Sequence, residues 1–197
     1  MEQFSADMML SIAAGIALSA ACGFRVFVPF AMMSLAAVTG QLELADGFQW
    51  VGSYPALITL LTATMLEIGA YFIPWLDNAL DMVATPAAVI AGSIASASVL
   101  TDMSPYMTWL LVAIAGGTAG VIQTSSVFAR GLSTATTGGV GNVVVASTEL
   151  AGSVALSVAA IMIPVVAFGV VVLLCFSVLR RLIRRLIGRR NMQPIHS

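Results

Sequence analysis

An apolar run from Met8 to Val38 carries one charge, Arg25, between Gly23 and Pro29. As a single helix those residues would measure roughly 46 Å, against a bilayer hydrocarbon core of about 30 Å. The run is too long for one upright span and holds a glycine, an arginine and a proline near its middle. A break there yields two shorter helices with Arg25 at the joint. Inside a membrane, a broken helix bearing a charge is tolerated only where protein or a water-filled cavity covers it. The run therefore predicts a polytopic membrane protein with a polar site near the break.

The rest of the chain agrees. Of 197 residues, 59% are hydrophobic and 9% charged, with a mean hydropathy of +1.01. A soluble domain carries about 25% charged residues. Six of the eight basic residues (Arg180, Arg181, Arg184, Arg185, Arg189 and Arg190) fall near the C-terminus, and every basic residue is arginine. The expected class is all-α: a polytopic transmembrane bundle of about six to seven helical elements, with broken or half helices at 8–38 and 143–179. Residues 1–179 would form the bundle and 180–197 a basic amphipathic cytoplasmic tail. Glu2 and Asp7 stand where a signal peptide needs basic residues, so the N-terminus is expected to be retained.

In chain order, the pattern predicts helices at 8–21 and 26–38, then a polar surface loop over 39–53. A third helix runs from Pro55, suited to a first turn, to about Ile73, with Glu67 inside it. Asp77 and Asp81 read as a short connector before a helix over 83–100, whose first turn holds Pro86. Ala84, Ala88, Gly92 and Ser96 recur every fourth place there, a face on which backbones approach closely, and mark it as the most enclosed helix. A fifth helix, 106–130, carries Gly116, Gly120, Gln123, Val127 and Arg130 on one stripe. A glycine- and threonine-rich loop over 131–142 follows, and Pro164 divides the remaining apolar stretch in two. Ser11–Ala17 matches Ala113–Ala119 at four of seven places, each followed by an arginine, a weak sign of repetition.

Arginine position sets orientation. The basic tail, the Arg130 loop and the Arg25 break fall inside; the N-terminus, Glu43, Asp46 and Asp102 fall outside. The expected location is a bacterial inner membrane.

The ionisable groups in or beside the spans are Arg25, Glu67, Arg130 and Glu149. A charge at the bilayer centre costs about 2.5–3.5 kcal/mol on insertion scales, so such groups pair or face a polar cavity. Two arginines and two glutamates can form two ion pairs, and Arg25 with Glu67 is the first expected pair. With Gln123 they are the candidate solute or ion pathway; Asp77 and Asp81, one turn apart, are secondary candidates. Cys22 and Cys175 have no nearby cysteine, and the one histidine is His196, so the residues suggest no metal centre, no cofactor and no hydrolase triad. The loop over 131–142 lacks the lysine of a phosphate-cradling P-loop.

Gly23-Phe24-Arg25-Val26-Phe27-Val28-Pro29 resembles the Gly-Leu-Arg-Ala-Phe-Leu-Pro signature of a family of small bacterial inner-membrane proteins known as a domain of unknown function. Ile73-Pro74-Trp75-Leu76-Asp77 with Asp81 is similar to that family's Ile-Pro-Gly-x-Asp-x-x-x-Asp stretch. Gly141-Asn142 and the later Glu149 resemble its Gly-Asn-Pro segment and acidic residue. Trp75 replaces the glycine, and Val143 the proline. The resemblance implies an integral membrane bundle and carries no activity.

Two functions follow as expectations. One is a channel or transporter for a small polar or ionic solute, using the intramembrane Arg and Glu groups. The other is a non-transporting scaffold or complex subunit whose buried charges are structural. Neither is an enzyme; a lipid-acting enzyme built on Asp77 and Asp81 lacks a nucleophile constellation. Expected partners are the bilayer, anionic lipids at the basic tail, a small-molecule or ion substrate, and further copies of the chain in a homo-oligomer. Nothing points to nucleic acid.

Overall fold

A computed structural model describes residues 6–70, 73–101 and 103–190. Among the described residues the chain is all-helical: α1 (Ala6–Cys22), α2 (Phe27–Val38), α3 (Tyr54–Ala70), α4 (Pro74–Ala97), α5 (Pro105–Thr137), α6 (Asn142–Met162) and α7 (Pro164–Arg190). A single 3₁₀ turn, Gln49–Gly52, precedes α3.

The centre of the bundle is α1, not α4. Ala13 to Cys22 are buried without interruption, because small residues on every face of α1 let neighbours close in from several sides. Helices α4, α5, α6 and α7 all pack against it. The small-residue face predicted for α4 is real: Ala84, Ala88 and Ser96 are buried. Its other side is exposed at Met82, Val83 and Ile90.

Glycines and serines set the contacts between α1, α4 and α5. A Cβ on Gly15 would stand 2.9 Å from Ser96 Oγ, and one on Gly92 would strike Ser19 Oγ. A Cβ on Gly116 would strike Ser93 Oγ. Ser19 Oγ donates across the helices to Ala115 O at 2.6 Å. These registers make α4 antiparallel to α1 and α5 parallel to it. Ser153 Oγ donates to Ala21 O at 3.0 Å, while Arg25 reaches Ala146 O, so α6 is antiparallel to α1. Helix α7 then folds back along α1 and buries Ala167 and Val171.

Three expectations are revised. The segment 39–53 is not a free surface loop: Leu44, Ala45 and Val51 are buried. Ala45 N–H donates to Ser98 O at 2.8 Å and Ser34 Oγ to Val51 O at 2.6 Å. Second, Pro74 begins α4 at its first turn, so the connector expected at Asp77 and Asp81 is helical and Pro86 lies inside the helix. Third, α5 continues to Thr137 and leaves only the tight turn 138–141 of the loop expected at 131–142. Thr136 and Thr137 hydroxyls bond the Leu132 and Ser133 carbonyls four residues back, which carries the helix through a glycine–threonine run. Gly138, at φ 64°, ends it with its N–H on Thr134 O. Pro164 divides α6 from α7 as expected, with Ile163 alone between them.

The bundle has two ends. The start of α1, the segment 39–53, the α4–α5 connection and the α6–α7 joint share one. The α1–α2 turn, the end of α3, the start of α4 and the turn 138–141 share the other.

Candidate functional site: a buried arginine–glutamate cluster

The α1–α2 turn, Gly23 to Val26, brings Arg25 to the second end of the bundle. A Cβ on Gly23 would lie 2.6 Å from Ala119 O and 2.7 Å from Ile122 Cβ, so glycine is what lets this turn press against α5. Arg25 then points into the bundle, 2% exposed, with Arg130 at 1% and Glu149 at 4%.

Arg130 and Glu149 face each other across the antiparallel α5–α6 hairpin. Arg130 Nε donates to Glu149 Oε1 at 3.1 Å and Nη2 to Oε2 at 2.6 Å. This two-pronged geometry is the strongest form of such a pair. Arg25 Nη2 lies 3.5 Å from the same Oε2 and donates to Ala146 O at 2.9 Å. One carboxylate thus joins two guanidiniums carried by α5 and the α1–α2 turn.

Glu67 enters from α3. Its carboxylate accepts Val26 N–H at 2.8 Å and Phe27 N–H at 3.1 Å, capping the N-terminus of α2 from a different helix. The sequence held a signal for this cap: Phe24-Arg25-Val26-Phe27 offers no Ser, Thr, Asp or Asn, and no local side chain caps α2. Unsatisfied N–H groups at a helix start must find an acceptor elsewhere. Glu67 also lies within Coulombic range of Arg25 and Arg130. Two acidic and two basic side chains meet here. The structure joins both arginines to Glu149 and sets the Glu67 carboxylate on the α2 backbone.

Gln123, two turns before Arg130 on the same stripe, is 2% exposed, and its Nε2 meets no hydrogen-bond partner. Asp77 and Asp81 fall on α4, and their side chains lie outside the described residues. Sequence reasoning did not foresee the Ala146 carbonyl or the Val26 and Phe27 N–H groups, because backbone groups carry no residue signature.

Outside the cluster the polarity is inverted relative to a soluble protein. Ile58, Met65, Leu66, Ile90, Val158, Val166, Leu173 and Phe176 are all exposed, whereas Ser19, Ser34, Ser96, Ser98, Ser153 and Ser157 are buried. Helices 105–137, 142–162 and 164–181 are each long and apolar enough to cross a membrane. Trp50, Tyr54, Tyr106 and Trp109 are exposed at the first end, as aromatic residues are at a membrane–water boundary. Along α5, Arg130 lies roughly 31 Å beyond Trp109 by the α-helical rise, close to the thickness of a hydrocarbon core.

An apolar exterior, a serine-lined interior and a buried charge cluster define a membrane protein of the helical-bundle class. The comparison with protein families narrows this: residues 12–184 match the model of DUF4126, a domain of unknown function, and the chain belongs to that family. No curated protein and no solved structure matches it.

Proposed function

We propose that this is a multi-pass protein of a bacterial inner membrane, N-terminus outside and C-terminus cytoplasmic, that passes a small polar or ionic solute through its bundle. Arg25, Arg130 and Glu149 would form the gate at the cytoplasmic end. The observation that carries this reading is that two buried guanidiniums share one carboxylate on unequal terms. Arg130 holds it with two short bonds, while Arg25 stands at 3.5 Å. An anionic group on a solute could draw Arg25 from Glu149 and leave the Arg130–Glu149 pair intact. The Gln123 Nε2 and Ser96 Oγ atoms, both buried without a hydrogen-bond partner, supply polar groups farther along the same interior. Buried polar atoms without partners are uncommon, and a permeating solute or water would satisfy them. The arginines at 180–190 support the orientation.

The test is flux. Proteoliposomes loaded with chloride, inorganic phosphate or a small dicarboxylate, with a pH-sensitive dye for protons, are compared with protein-free vesicles. Arg25→Ala and Glu67→Gln are measured at equal folded protein. A loss of tenfold or more in one solute's flux supports the gate; unchanged flux in both variants sinks it.

A scaffold reading draws on a different observation. Ser19, Ser34 and Ser153 each donate to a carbonyl across an interface, the bonding of a bundle built to stay closed. It predicts that charge variants lower folded yield alone, and that a stoichiometric partner co-purifies in mild detergent.

A further inference from the structure

Beyond the bundle's interior, α7 carries a second feature. Phe176, Leu179 and Ile183, with the aliphatic stems of Arg180 and Arg184, line one shallow, almost wholly apolar face, and all five residues are exposed. Their spacing of three and four residues places them on one side of the helix. Arg180 and Arg184 lie sixteen and twenty residues after Pro164, or roughly 24 and 30 Å along the axis. With Pro164 at the first end, these arginines stand at the opposite boundary of a core about 30 Å thick. Phe176 and Leu179 lie deeper, at acyl-chain level.

Among the described residues no carboxylate pairs with the charge on this face. No Asp or Glu follows Glu149 anywhere in the chain, and Glu149 is engaged by Arg130 and Arg25. Helix α7 packs against α1, α6 and α5. The inner end of α1 is Ala20-Ala21-Cys22, and the charge α5 carries is Arg130. An anion is therefore wanted at the headgroup level and an apolar chain just beneath it.

We propose that Arg180 and Arg184 form a headgroup site for an anionic phospholipid, its phosphate between the two guanidiniums and an acyl chain along Phe176 and Leu179. Two arginines one turn apart can grip a phosphate from both sides, and a net-negative lipid is preferred over a zwitterionic one by the same charge. This inference rests on the membrane placement of α7 and is independent of whether the bundle transports anything.

The experiment uses the full chain reconstituted in bilayers of phosphatidylcholine with a minor fraction of spin-labelled phosphatidylglycerol. Labelled phosphatidylcholine serves as the reference. The parent protein is expected to select phosphatidylglycerol, and R180Q/R184Q to lose most of that selectivity. R181Q/R185Q removes the same number of charges at the positions next in sequence and should keep most of the selectivity. R180K/R184K should keep part of it, since lysine holds the charge without the two-pronged grip. Equal losses in R180Q/R184Q and R181Q/R185Q would reveal diffuse attraction to a basic tail and overturn the site. An unselective parent would overturn it as well. Circular dichroism and gel filtration of each variant confirm that all are compared folded.

Discussion

Replacing Glu149 by alanine tests the buried cluster most severely. The carboxylate takes two short bonds from Arg130 and stands 3.5 Å from Arg25. Its removal takes away the carboxylate that both guanidiniums, each at most 2% exposed, share at the cluster's centre. Breaking a buried pair by removing one partner costs about 3–5 kcal/mol, and here one deletion breaks the contacts of two arginines. Glu149→Ala should sit at the top of that range. Arg130→Ala removes the two-pronged pair but leaves Glu149 beside Arg25, so it should cost less. Arg25→Ala, which leaves the Arg130–Glu149 bonds whole, should cost least of the three, on the order of 1–3 kcal/mol for its lost charged hydrogen bond. The assay is reversible unfolding in mixed micelles, followed by helical circular dichroism, with all three variants in one detergent. Arg130→Met/Glu149→Met removes both charges at similar volume and should be more stable than either single methionine variant, giving a favourable coupling. A cycle with no coupling, or an Arg25→Ala variant less stable than Glu149→Ala, would refute this account of the cluster.

Gly92→Ala would press a methyl against Ser19 Oγ and Ala119 Cβ in the close α1–α4–α5 contact and should cost about 1–3 kcal/mol in the same unfolding assay. Gly117→Ala, where nothing lies within 4 Å, should be neutral or stabilise by up to about 1 kcal/mol. Glu67→Ala leaves Val26 and Phe27 N–H without their acceptor and should cost about 1–2 kcal/mol, as loss of a helix cap does. Hydrogen exchange should then quicken at these two amides ahead of the rest of α2, and unchanged exchange would contradict the cap. For orientation, single cysteines are placed in a Cys22→Ser/Cys175→Ser background. An impermeant reagent applied to intact cells should label Asp46→Cys and Asp102→Cys and spare Met192→Cys; labelling at 192 would reverse the scheme.

Much of the architecture is written in one dimension, because a bilayer makes hydropathy and helix length nearly sufficient. The apolar run from Met8 to Val38 exceeds one crossing and must break where Gly23 and Arg25 weaken it. Pro164 cannot continue the helix before it. The small face of α4 is a spacing that one helix alone displays. The four charges at Arg25, Glu67, Arg130 and Glu149 stood out because a membrane makes each of them costly.

What the tertiary structure alone decided is how those charges divide. Glu67 and Glu149 both reach the level of the α1–α2 turn, and the rotation of each helix about its axis selects the partner. That rotation is set by close contacts such as Ser19 on Gly92 and Gly23 on Ala119, which join residues distant in sequence. The capping role of Glu67 was hidden for the same reason, since its partners are backbone groups exposed by a turn in another helix. The run from Gly131 to Thr137 looked like a loop by composition, yet it is helical. Its threonine hydroxyls are satisfied on the preceding turn, and α6 lies antiparallel beside it through Arg130 and Glu149. Local propensity is a matter of tenths of a kcal/mol per residue, and hairpin packing closed by a buried ion pair outweighs it.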